Sequence, residues 1–74
     1  GGVVVVQVEP GSPAAESGIR PGDIIEDING VVIRNLKDYS ANISQAQPGS
    51  ALRFLMKRRG KTLYVVVEVP EKEK

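Results

Sequence analysis

The amino-acid sequence predicts one small α+β domain, a curled, mostly antiparallel sheet capped by two helices. Three observations lead there. Apolar and β-branched runs recur at residues 3–8, 24–28, 31–33, 52–56 and 63–69. Two helix starts are written at Ser12-Pro13 and at Asn35, and pairs containing Gly or Pro punctuate the intervals. Many short strands around a single core are buried most economically by a sheet curled over that core, with helices closing the open sides.

Residues 3–8 read as a strand because β-branched side chains fit a pleated surface, and the short, nearly continuous apolar run predicts burial on both faces. Pro10-Gly11 limits it. Residues 12–30 are the densest stretch. Ser12 can accept a bond from an orphan first-turn amide, Pro13 loses nothing at the first helical position, and Gly18 supplies a left-handed stop. After the Pro21-Gly22 turn, Ile24, Ile25 and Ile28 form a strand, and Asn29-Gly30 offers the positive φ values of a tight hairpin. Its second arm is Val31-Val32-Ile33. Asn35 caps a longer helix, whose stripe of Leu36, Tyr39 and Ile43 is expected to face the core and which ends near Ala46, before Pro48-Gly49. Leu52, Phe54 and Met56 alternate along a half-buried strand. After Arg59-Gly60, Leu63, Val65, Val67 and Val69 alternate along a last strand that pairs antiparallel with it. Residues 71–74 read as a solvated tail.

The chain has 74 residues, 41% of them hydrophobic, enough for a single core. Without cysteine there is neither a disulfide nor a thiolate metal site, and without histidine the usual zinc, haem and general-base chemistries lose their commonest residue. The net charge of +1, with both signs mixed, argues against a nucleic-acid surface. No apolar run approaches the ~20 residues of a membrane-spanning helix. No serine carries a nucleophile-elbow motif, and Asp23 reads as a turn residue satisfying amides after Gly22. Glu26 and Asp27, adjacent on a strand, point to opposite faces and make no metal pair. The chain is therefore expected to be non-catalytic, with no cofactor, no metal, no nucleic acid and no direct membrane insertion.

In order, the valine run, Ser12-Pro13-Ala14-Ala15, Gly18-Ile19, Gly22-Asp23-Ile24-Ile25, Ile28-Asn29-Gly30 and a helix closed by Pro48-Gly49 resemble the PDZ domains. The detail is most similar to PDZ domains of bacterial HtrA-type serine proteases, particularly the second of a tandem pair. Those of site-2-type intramembrane metalloproteases are the near rival. The resemblance implies a single PDZ-like domain over residues 1–74, with the family's carboxylate-binding loop and groove strand lying before residue 1. It implies a non-catalytic module of a larger protease in the bacterial periplasm or envelope. Such a module binds extended or C-terminal segments of misfolded or substrate proteins by adding them as a strand beside a helix.

On this sequence the implied peptide-binding residues are the strand residues Val3, Val4, Val5 and Val6, and a helix wall of Asp38, Asn42 and Gln45. The wall is polar and lacks the histidine that reads a Ser or Thr of the ligand in many PDZ domains. The alternative function is structural: an open edge over residues 3–8 that holds copies of the domain together without reading a peptide. The cluster Lys57-Arg58-Arg59-Gly60-Lys61 reads as a hairpin turn kept soluble by charge and offset by Glu68, Glu71 and Glu73, in preference to a phosphate or membrane-surface patch. Tyr64 is expected on the outer face of the last strand.

Overall fold

The computed structural model describes residues 1–71. Its elements follow the order β1 (Val3–Val4), α1 (Pro13–Ser17), β2 (Ile24–Ile28), β3 (Val31–Val32), α2 (Leu36–Ser44), β4 (Ala51–Arg58) and β5 (Lys61–Glu68). All pairings are antiparallel, in the order β1-β2-β4-β5, and β3 pairs back onto β2. The expected α+β architecture is the one formed. Beyond Glu71, the expected tail lies outside the described residues.

Local chemistry starts and stops each element. The Ser12 hydroxyl accepts from the Ala15 N–H at 3.2 Å, and Gly18 ends α1 at φ 96°, its N–H reaching the Ala14 and Ala15 carbonyls. The β2–β3 turn takes positive φ at Asn29 (53°) and Gly30 (85°), the signature of a type I′ hairpin. Asn29 also fastens the turn to β4, since its side-chain Oδ1 accepts from Arg53 N–H at 2.8 Å and its own N–H donates to the Arg53 carbonyl at 2.8 Å.

The core gathers Ile19, Ile25, Ile28, Ile33, Leu52, Phe54, Met56, Val65 and Val67. Ile25 and Ile28 are both buried although three positions apart, a spacing a regular strand would send to opposite faces. A β-bulge resolves this: Ile25 pairs with Met56 while Asp27 pairs with Leu55, so Glu26 is an extra residue that resets the alternation.

Two expectations about burial are corrected. The ladder of β1 covers only Val3 and Val4, paired with Ile25 and Ile24, and the run beyond it is buried on one face alone: Val4 is 56% and Val6 82% exposed, while Val3, Val5 and Val8 pack against the core. The run lies at a sheet edge, and no other described strand pairs with its outer side. Leu36, expected on the buried stripe, is 68% exposed. It sits at the helix start, and the stripe that packs inward is Tyr39, Ile43 and Ala46.

The basic hairpin is also placed differently. Arg58 is only partly exposed, and its guanidinium donates from Nε to Asp23 Oδ1 and from Nη2 to Asp23 Oδ2, both at 2.8 Å, with a further bond from Nη2 to the Gly18 carbonyl at 2.8 Å. Asp23, 1% exposed, also accepts from the Arg20 N–H at 2.8 Å, which is the turn role expected of it. The Arg58 bond holds the Asp23 carboxyl below its ordinary value against the opposing effect of burial, and raises the Arg58 guanidinium in turn. Glu68 does not offset this hairpin. It pairs with Ala51, whereas Arg58 pairs with Lys61, and seven residue steps along the strand separate the two ends by about 23 Å.

Candidate functional site

The most apolar concavity is a cleft of about 410 Å³ between the edge segment and α2. Val5 and Val8 form one wall and Tyr39, Ile43 and Ala46 the other, with Ile25, Leu52, Phe54 and Val67 beneath and Pro13 and Ala14 at one end. Local alternation accounts for part of this composition: over residues 3–6 the extended segment turns Val3 and Val5 inward, and Tyr39 and Ile43 share one face of α2, with Ala46 just past its end continuing the i, i+4, i+7 spacing. Among the described residues, Glu9 and Glu68 are the charged ones that line the cleft, so none of these offers a positive charge to a free carboxylate.

The edge beside the cleft has its own directionality. Val5 turns both backbone groups towards the sheet, its N–H to the Asp23 carbonyl at 2.8 Å and its carbonyl accepting from Gly22 N–H at 2.7 Å. Alternation in an antiparallel ladder then directs the N–H and C=O of Val4 and Val6 to the free side. A strand laid along that side would find hydrogen-bonding groups and an apolar floor together.

Of the residues singled out from the sequence, Val5 lines the cleft, Val3 packs on the core, and Val4 and Val6 stand exposed along the edge. Asp38, Asn42 and Gln45 are not brought to the cleft. They line a shallower depression of about 290 Å³ on another face of α2, against Val31, Val32 and Arg34. Asp38 is occupied there: its N–H donates to Asn35 Oδ1 at 2.9 Å, and its Oδ2 accepts from Arg34 N–H at 3.0 Å. The pair Asn35 and Asp38 is a variant of the capping box in which the acid reaches the Arg34 N–H, one residue before the cap, and its spacing is legible in the sequence as an Asn followed three positions later by an acid. The sequence reading missed Tyr39, Ile43 and Ala46 as the cleft wall, because a stripe that packs on a core and one that borders a groove have the same spacing.

The PDZ domain family model matches residues 4–58. The chain belongs to the PDZ domain family. This PDZ chain is 38% identical over 66 residues to the serine protease HhoB of Synechocystis, covering 89% of the chain and 16% of the relative. It is 35% identical over 66 residues to the periplasmic pH-dependent serine endoprotease DegQ of Escherichia coli, covering 89% of the chain and 14% of the relative. Among solved structures, the HtrA-type protease AlgW with a decapeptide superposes with a TM-score of 0.88 at 26% identity, over 99% of this chain and 22% of that one. The PDZ chain is thus homologous to the PDZ domains of HtrA- and DegP-type serine proteases, in which the PDZ domain is a non-catalytic module for protein or peptide interaction. It spans about a sixth of the length of these curated relatives. The intramembrane metalloprotease rival gains no support from these names.

Proposed function

We propose that this PDZ domain binds extended apolar polypeptide segments by strand addition along residues 3–8, as a regulatory module of a larger protease of the bacterial periplasm or envelope. The observation that carries the reading is the coincidence of an outward-directed backbone at Val4 and Val6 with an apolar cleft running beside it. Main-chain bonds supply general affinity, and the cleft selects alternate side chains. The periplasmic names of relatives such as DegQ support the location, and the decapeptide bound by AlgW supports the ligand class. Val3, Val4, Val5 and Val6 supply the strand, and Tyr39, Ile43 and Ala46 the facing wall. Asp38, Asn42 and Gln45 line a separate depression and have no part in this reading. Within residues 1–71 the cleft wall offers no cation, so an internal segment satisfies it as well as a C-terminus does.

Titration with an apolar decapeptide, in free-acid and amidated forms, followed by amide chemical shifts tests the reading. Saturable shifts at residues 4–8 and 39–46 with both forms are the expected result. Ile43→Ser weakens them severalfold, and Asn42→Ala leaves them unchanged. Absence of saturable shifts, or an equal loss with Asn42→Ala, overturns it. The second reading, self-association through the same edge, is favoured by the 82% exposure of Val6. It predicts shifts at residues 3–8 that depend on protein concentration alone.

A further inference from the structure

We propose that the depression framed by Arg20, Arg58 and Arg59 is a binding site for a phosphate group. The depression holds about 160 Å³ between the loop after α1 and the β4–β5 turn, and its other lining residues are Pro21, Gly22 and Asp23. The depression has room for several waters, and a phosphate group carries five heavy atoms. Three guanidiniums with one carboxylate leave a positive balance, and Lys61, paired across the turn with Arg58, and Lys57, one position before it, add to it. These are five of the chain's ten basic residues.

The arrangement is isolated and preorganised. Among the described residues, Arg20, Lys57, Arg59 and Lys61 make no ion pair, and Asp23 is the carboxylate that meets Arg58. Asp23 is 1% exposed and spends both oxygens on Arg58 and the Arg20 N–H, so it acts as an anchor for the cations more than as a competing anion. Glu16 and Glu68 line a separate depression with Val66 and Pro70, and Asp27 is committed to the Gly30 N–H. Arg59 sits in a two-residue turn with φ 53°, followed by Gly60 at 78°, and Arg20 sits in a loop closed by the Asp23 N–H to the Arg20 carbonyl at 3.1 Å. Both backbones are fixed before a ligand arrives, which lowers the ordering cost of binding. A guanidinium matches phosphate oxygens in a planar, bidentate fork.

The phosphate can come from free solution or from the headgroup of an anionic lipid. Two titrations on the full chain separate the sources: inorganic phosphate against chloride at matched ionic strength, and vesicles of phosphatidylglycerol against phosphatidylcholine. Saturable amide shifts at residues 20–23 and 58–60 with inorganic phosphate assign a soluble anion, and cosedimentation with phosphatidylglycerol vesicles alone assigns a headgroup. In either case the Arg20→Ala/Arg59→Ala variant, which keeps the Asp23–Arg58 pair, lowers binding tenfold or more while the shifts of Ile28 and Met56 stay in place. No saturable response to either probe, or binding unchanged in the double variant, overturns the site and returns the hairpin to a solvated turn.

Discussion

Asp23 is the residue on which most separate parts of the chain converge. It joins the loop after α1 to the end of β4 through Arg58, thirty-five positions away, and Arg58 carries the contact on to the last turn of α1 through the Gly18 carbonyl. Asp23→Ala leaves the Arg58 guanidinium and the Arg20 N–H without their acceptor, and is expected to cost about 1–3 kcal/mol at pH 7, read as a lower urea midpoint with an unchanged slope. The pH dependence follows from the direction of the shift. The carboxyl is ordinary in the unfolded chain and depressed in the fold. Its contribution is therefore complete above the ordinary carboxylate range and lost as pH falls through the folded value. The urea midpoints of the parent and Asp23→Ala should converge on acidification, and a constant gap down to pH 2 would contradict the pair. The Asp23 turn role was legible because Gly22-Asp23 is a local signal. The Arg58 partnership was not, because no local pattern links two residues that only tertiary register brings together.

At the scale of elements, the termini were legible and the faces less so. Ser12, Pro13, Gly18 and the Asn29-Gly30 pair act within four residues of themselves, so the sequence states their chemistry directly. A helix face is different. The spacing of Leu36, Tyr39 and Ile43 allowed an inward stripe starting at Leu36, but the packed set is Tyr39, Ile43 and Ala46, just past the helix end, and Leu36 is left to solvent. The bulge at Glu26 was equally hidden, since it depends on how many β4 residues oppose β2. The box at the start of α2 gives a clean prediction. Asn35→Ala is expected to cost about 1 kcal/mol, and Asp38→Ala to fall in the same range, because it removes the acceptor for the Arg34 N–H. Asn42→Ala, on the same surface without such a bond, should stay within about 0.5 kcal/mol of the parent. Urea unfolding of the three variants separates a capping role for Asp38 from a ligand-reading one, since a ligand role would leave stability unchanged.

Over the whole molecule, the same sheet that buries the core leaves one long consequence at its edge. The order β1-β2-β4-β5 makes β1 terminal, and its short ladder presents valines to solvent where a soluble edge usually carries a charge, a proline or a bulge. Both functional readings of the domain draw on this edge, so a substitution there distinguishes them from fold stability. Val6 is the position to change: it is 82% exposed and lies outside the core cluster, so Val6→Lys should alter stability by no more than about 0.5 kcal/mol. A lysine on an edge opposes pairing with a second copy, whose own lysine would lie nearby, yet it leaves the Val6 N–H and C=O available to a neutral or acidic peptide. The expected outcome is a sedimentation coefficient independent of protein concentration in Val6→Lys, with decapeptide shifts at residues 39–46 retained. Loss of the peptide shifts alongside an unchanged oligomeric state would assign the Val6 side chain itself to the ligand contact and contradict recognition through the main chain.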